Sequence, residues 1–229
     1  MSGHALVVGV GPGLGASLAR TFSEAGYSLS LVSRQPDRLS ELCDEIDAKA
    51  YACDASDEKS VADLFTRLED DGRIPELVVY NAGSGSRGPV AELDLDKAKT
   101  TLSVSAWGAL VVAHEASKRM LSQGEGTLLF TGASAGIKGF ARSAPFAMAK
   151  FALRGLCQSL ARELAPKNIH VAHFVIDGLI HQPSRGAPYD DPEKTLLPDE
   201  IANAYLDVSR QHRSAWTYEM ELRPYVETF

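Results

Sequence analysis

The chain has 229 residues, 45 % apolar and 23 % charged, close to the globular average and enough to bury one substantial core. That composition excludes collagen-like repetition, disorder and a disulfide scaffold. Lys and Arg number 23 against 30 Asp and Glu, so the net charge is −7. With no run of basic residues, nucleic acid is not an expected partner.

Cys43, Cys53 and Cys157 are scattered and contain no Cys-x-x-Cys pair, a usage that suits a reducing cytoplasm. No apolar run approaches the roughly 18 residues that a membrane span requires. The apolar stretch at residues 5–10 has no basic residue before it, unlike a signal peptide. A cytoplasmic protein that neither spans nor binds a membrane is expected.

Val- and Leu-rich runs recur in chain order at residues 5–8, 29–32, 50–52, 77–80, 127–130 and 169–176. Nearly continuous apolar strands of this kind belong to parallel sheets covered on both faces. Helix-like segments lie between them. Residues 14–25 run to a stop at Gly26, and residues 57–68 open with acids and end at Gly72. Residues 102–121 and 146–164 are the longest, the second closed by Pro166, and 199–211 reads as a further helix before a last strand at 215–222. This alternation predicts a single-domain α/β fold, a Rossmann-type doubly wound parallel sheet of about seven strands with helices on both faces.

Gly9, Gly11, Gly13 and Gly15 fall between the first strand and the first helix. Glycines there let the backbone approach a pyrophosphate, whose charge the helix N-terminus meets. A dinucleotide site is therefore expected, and the second strand points to its kind. An NAD site calls for Asp or Glu at that strand's end, whereas this one ends Val32-Ser33-Arg34 with no carboxylate before Asp37. A hydroxyl and a guanidinium suit a 2′-phosphate, so NADP (NADPH) is favoured over NAD.

At this point the chain resembles the short-chain dehydrogenase/reductase family. Gly9-x-x-x-Gly13-x-Gly15 matches that family's glycine loop, Asp54 its adenine-contacting Asp, and Asn81-Ala82-Gly83 its Asn-Ala-Gly turn. The resemblance also implies cofactor contacts at Leu14, Ala55, Gly178 and Ile180, and a small-molecule substrate. It further implies a mobile lid over residues 181–197, and a homodimer or homotetramer paired through long helices.

The family's catalytic set is largely replaced. Lys150 falls on the family's lysine, whose ammonium holds the nicotinamide ribose. One helical turn earlier Phe146 stands where the family has its acid/base tyrosine. Thirteen residues before Phe146, Ala133 occupies the serine position, with Ser134 beside it and expected to point the other way. Ser105 takes the place of the family's Asn. Of the histidines, His170 and His173 are three apart on one strand and so point to opposite faces and cannot share a metal, His114 has no partner at metal spacing, and His181 opens the lid. No metal site is expected.

Two readings stay open. One is an NADP(H)-dependent oxidoreductase with an atypical site, acting on an imine or a conjugated acceptor that needs little help from a general acid. The other is a catalytically silent NADP(H)-binding sensor or structural subunit.

Overall fold

The computed structural model describes residues 3–227. Seven parallel strands form one sheet in the order β3-β2-β1-β4-β5-β6-β7. They are β1 (His4–Val8), β2 (Ser28–Ser33), β3 (Lys49–Ala52), β4 (Leu77–Tyr80), β5 (Gly126–Thr131), β6 (Ile169–Ile176) and β7 (Glu219–Leu222). The chain builds outward from β1 to β3, then crosses back to set β4 against the other side of β1. That reversal opens a crevice at the carboxyl ends of β1 and β4, where ligands bind in open α/β sheets.

Helices cover both faces. Alternate strand residues point to opposite sides, so Leu6 and Val8 join one core while Ala5 and Val7 join the other. The first core lies under α3 (Glu58–Asp70), α5 (Gly108–Gln123) and α6 (Ala144–Leu164). The second lies under α1 (Leu14–Glu24), α2 (Ser40–Ile46) and α7 (Pro198–Ser209). All eight residues of β6 are buried, as a strand covered on both faces requires.

Three sequence expectations need correction, and one helical segment carried no sequence signal. The long helix predicted at 102–121 is two α-helices joined by a π-helical turn. It begins seven residues earlier as α4 (Leu95–Leu102), because the Asp94 carboxylate accepts from the amides of Asp96 and Lys97 and caps it there. Residues Ser103–Trp107 then carry the π turn before α5. The segment at 36–46 is helical, a tight turn over Pro36–Leu39 leading into α2, and was too short to show a period. The last strand is only Glu219–Leu222, because the chain before it turns at Arg213–Ala215 and Trp216 stacks on His170 instead. Finally, β5 ends at Thr131, so the alternation argument for Ser134 rests on a strand that has already stopped.

Gly108 opens α5 at a close approach to the chain after β3 and to the end of β4. A Cβ there would lie 2.5 Å from the Ala55 carbonyl and 2.5 Å from the Tyr80 hydroxyl. Gly155, inside α6, has open space around its Cα. The two helical glycines should therefore respond oppositely to alanine. Gly108→Ala should destabilise by about 1–3 kcal/mol through overpacking, whereas Gly155→Ala should stabilise by about 0.5–1 kcal/mol through helix propensity. Urea unfolding midpoints of the two variants check both signs.

Candidate active site

The glycine loop is built by close packing on one side and openness on the other. Gly9 adopts φ +90°, and a Cβ on it would lie 2.5 Å from the Ala82 backbone. Gly15 is equally constrained, with Val10 Cα 2.8 Å from where its Cβ would stand. Gly11 and Gly13 are different, since nothing lies within 4 Å of a Cβ on either. Their smallness is not demanded by the protein's own packing. At Gly13, α1 begins with no side chain capping its free amides.

Two cavities meet at this loop. One of about 300 Å³ runs along the strand ends and is lined by Gly9, Gly11, Asp54, Ala55, Asn81 and Ala82, among others. A second of about 860 Å³ lies outside β2 and is lined by Gly11, Pro12, Arg20, Gln35 and Arg38. Ser33 and Arg34 line both. Arg20 is already engaged by Glu45 through two hydrogen bonds of 2.7 and 2.8 Å. Arg34 and Arg38 have no carboxylate partner among the described residues. Arg38 was not anticipated from the sequence, because its place in the cavity depends on the turn at Pro36–Leu39.

Asp54 is pre-shaped by Ser56, whose hydroxyl and amide donate to its carboxylate at 2.7 and 2.9 Å and hold its carboxyl below the usual range. Gly13, Leu14 and Gly15 line neither cavity. Gly178 and Ile180 stand apart from both cavities, after β6. Gly178 packs on Pro224 and Leu196, and Ile180 forms a bridge with Leu196.

Of the residues read as catalytic, Lys150, Phe146 and Ser105 gather around the turn after β4. Lys150 is buried, and its ammonium donates to the Thr131 carbonyl at 2.8 Å. Burial lowers its pKa from the ordinary 10.5 to about 8. The Phe146 ring lies one turn away on α6, with its centroid 5.9 Å from the Lys150 Nζ. Ser105 sits in the π turn, fully buried. It accepts from the Ser84 amide at 3.0 Å and donates to the Ser84 carbonyl at 3.2 Å. A Cβ on Gly83 would stand 3.8 Å from the Lys150 Nζ and 3.9 Å from the Ser105 hydroxyl. Ala133 is extended and brings only a methyl group.

A polar chain that the sequence did not reveal crosses this edge. The Tyr205 hydroxyl donates to Thr131 Oγ1 at 2.9 Å, Thr131 donates to Asn81 Oδ1 at 3.0 Å, and Asn81 Nδ2 donates to the Gly9 carbonyl at 3.0 Å. Tyr205 belongs to the core under α1 and α7, stacked on Phe174, and so does not replace the missing phenol beside Lys150. Tyr80 is likewise committed, donating to the Val104 carbonyl.

The histidines have structural partners. His173 shares Glu219 with Arg154, bonding at 2.9 Å beside the two Arg154 bonds of 2.8 Å. His170 bonds the Thr217 carbonyl, and His181 bonds Thr195 Oγ1 at 3.1 Å within the segment after β6. No cluster of metal-ligating side chains occurs among the described residues, and no described helix is long and apolar enough to cross a membrane.

Comparison with known proteins places the fold. A short-chain dehydrogenase crystal structure from Rhodopseudomonas palustris is 34 % identical and superposes with a TM-score of 0.83, covering 97 % of this chain and 98 % of that one. The sorbitol-6-phosphate 2-dehydrogenase of Escherichia coli strain K12 is 28 % identical over 218 residues, 90 % of this chain and 84 % of that protein. An alcohol dehydrogenase from Thermococcus sibiricus, 23 % identical with a TM-score of 0.88, shares the fold, covering all of this chain and 99 % of that one. The short chain dehydrogenase profile matches residues 3–182, from β1 through the turn after β6, and the chain belongs to that family.

Proposed function

We propose that this protein is an NADP(H)-dependent oxidoreductase with an atypical catalytic site. The observation that carries the reading is the open glycine Gly11, which lines both cavities together with Arg34 and shares the larger one with Arg38. A side chain at residue 11 would enter a cradle that the protein's own packing leaves free, so the loop fits a pyrophosphate against the uncapped α1 N-terminus. Asp54 and Ala55 would hold the adenine end, and Asn81, Ala82, Gly83 and Lys150 the nicotinamide end. Ser33, Arg34 and Arg38 suit a 2′-phosphate. The Thermococcus sibiricus protein of the same fold is complexed with 5-hydroxy-NADP, in keeping with that assignment.

When bound, the nicotinamide supplies or accepts the electron pair and hydrogen that the substrate exchanges. This chain's residues orient the reactants and handle charge. Lys150 carries a mobile proton at neutral pH, and among Lys150, Phe146, Ala133 and Ser105 it alone can donate one. Ser105 holds the backbone of residue 84 and so shapes the turn around Gly83. Phe146 and Ala133 contribute apolar surface where the family contributes hydroxyls. A plain ketone gathers alkoxide charge during reduction and needs an acid or an oxyanion donor. An imine or a conjugated acceptor protonated later by solvent needs less, and suits this site better. The segment at 181–197 serves as the lid, Gly178 and Ile180 guiding its entry. Copies of the cytoplasmic chain pair through helices that leave Trp107, Leu110 and Leu121 exposed.

A second reading, a silent NADP(H)-binding sensor or subunit, draws on the same replacement of tyrosine by Phe146. Activity separates the two. Wild-type protein should oxidise NADPH only feebly with simple aldehydes and ketones. Phe146→Tyr combined with Ala133→Ser should raise that rate by at least about tenfold, the low end of general-acid effects. Turnover by the wild type of an imine or enone sinks the silent reading. Inertness of both proteins towards every acceptor class, with cofactor bound, sinks the enzymatic one.

Cofactor choice is tested by calorimetric titration. NADPH should bind about tenfold or more tightly than NADH, the scale of charge-assisted hydrogen bonds. Arg34→Ala with Arg38→Ala should remove the difference.

Lys150 also makes a stability prediction. Its folded pKa, about 8, lies below the unfolded 10.5, so the unfolded chain binds the proton more tightly between those values. The burial penalty is full below pH 8 and fades as pH rises towards 10.5. Lys150→Met should therefore be more stable than wild type at pH 7, by about 1–3 kcal/mol, and the gap should close between pH 8 and 10. Urea unfolding of both proteins across that range measures it.

A further inference from the structure

The loops that flank Phe146 have an unusual charge balance for an acidic protein. No Asp or Glu occurs between Glu76 and Glu92, or between Glu125 and Glu163. Those acid-free stretches contain Arg87, Lys138, Arg142, Lys150, Arg154 and Arg162. Among the described residues, Arg87, Lys138 and Arg142 have no carboxylate partner, whereas Arg154 is neutralised by Glu219.

Three contacts bring this charge to the site. The Arg87 guanidinium lies over the Phe146 ring, 5.6 Å from its centroid, and Lys150 Nζ lies 5.9 Å from the same centroid. The phenylalanine at the tyrosine position is thus flanked by two cations. The Arg87 loop runs against the ring, since a Cβ on Gly85 would stand 3.9 Å from Phe146 Cδ2, in ordinary contact. The Gly88 amide donates to the Arg142 carbonyl at 2.8 Å, which joins the two basic loops. Arg142 is held at φ 63°, a left-handed conformation that disfavours a long side chain. Strain of that kind gathers at ligand clamps.

A ring contact occupies one side of a guanidinium and leaves its five N–H donors in their own plane. None of those on Arg87 makes a hydrogen bond to a described residue. Of the acids at 190, 191 and 193, Asp191 pairs with Lys194 and Glu193 accepts from Tyr225, and among the described residues none forms an ion pair with Arg87.

We propose that the substrate of this site is a small acceptor bearing a carboxylate or phosphate group, and that Arg87, propped on Phe146, grips that anion. This rests on the oxidoreductase reading and names the substrate class within it. Phe146 then has a use of its own: it gives up a hydroxyl and provides the face on which the anion-binding guanidinium sits.

Matched probes isolate the charge. The carboxylates 4-oxopentanoate and pyruvate are compared with their methyl esters, and dihydroxyacetone phosphate with dihydroxyacetone. Each is titrated by calorimetry into protein saturated with NADP+ and into cofactor-free protein. In at least one pair the anion should bind about tenfold or more tightly than its neutral partner. Arg87→Ala should erase that preference, while Arg162→Ala, at the far end of α6, should keep it. Equal binding within every pair, absence of binding by all six probes, or a preference that survives Arg87→Ala overturns the proposal. The two series keep the readings apart. An Arg87-dependent preference without NADP(H) binding refutes the oxidoreductase reading and retains the grip. NADP(H) binding without any anion preference refutes the grip alone.

Discussion

The site depends on one run of hydrogen bonds laid across the carboxyl edge of the sheet. Tyr205 of α7 donates to Thr131 at the end of β5, Thr131 to Asn81 after β4, and Asn81 to the carbonyl of Gly9 after β1. Lys150 of α6 uses the same residue from the other side, through the Thr131 carbonyl. Each bond is a modest contributor alone, about 1 kcal/mol. Together they fix three strand ends and two helices relative to one another, and the glycine loop, the turn after β4 and the stretch after β5 spring from those ends. A buried network of this kind has to be complete, since an orphaned member would bear its full desolvation cost.

Burial of Lys150 shows which effect dominates locally. One hydrogen bond to a neutral carbonyl and a distant aromatic ring do not compensate for the water that the ammonium gives up, so its pKa falls. The aromatic neighbour matters more by what it lacks. A phenol at residue 146 would exchange protons with the amine, whereas a benzene ring offers only a cation–π attraction, about 2 kcal/mol for a desolvated ammonium. The amine is therefore left with no titratable partner on its own helix turn.

Much of the fold was legible because strands buried on both faces read as unbroken apolar runs. Residues 77–80 and 169–176 are β4 and β6 to the residue. Failures came where local chemistry overrode period. Asp94 starts a helix before its apolar pattern does, and a π turn keeps 95–123 continuous in direction while changing its hydrogen bonding. The glycine loop was legible by position, but the difference between Gly9, locked against Ala82, and Gly11, open, is visible only in three dimensions. Thr131 and Tyr205 gave no sequence signal, because nothing local distinguishes a tyrosine in a core from one that bridges to a strand end. Arg87 did carry a signal, as the sole charged residue in 77–91. Its meaning depended on knowing that Phe146 lay beneath it.

The segment after β6 leaves the sheet and returns to it at one point. The His181 amide donates to the Leu196 carbonyl and the Leu196 amide to the Leu179 carbonyl, both at 2.8 Å, so the two ends of the excursion are stitched side by side. The strands and helices therefore sense where this stretch begins and ends but not how much chain lies between. For a loop closed in this way, each doubling of length adds only about 0.6 kcal/mol of entropy. Insertions and deletions here are close to free for the scaffold, and this stretch can be rewritten from one descendant to the next while the cofactor machinery stays untouched.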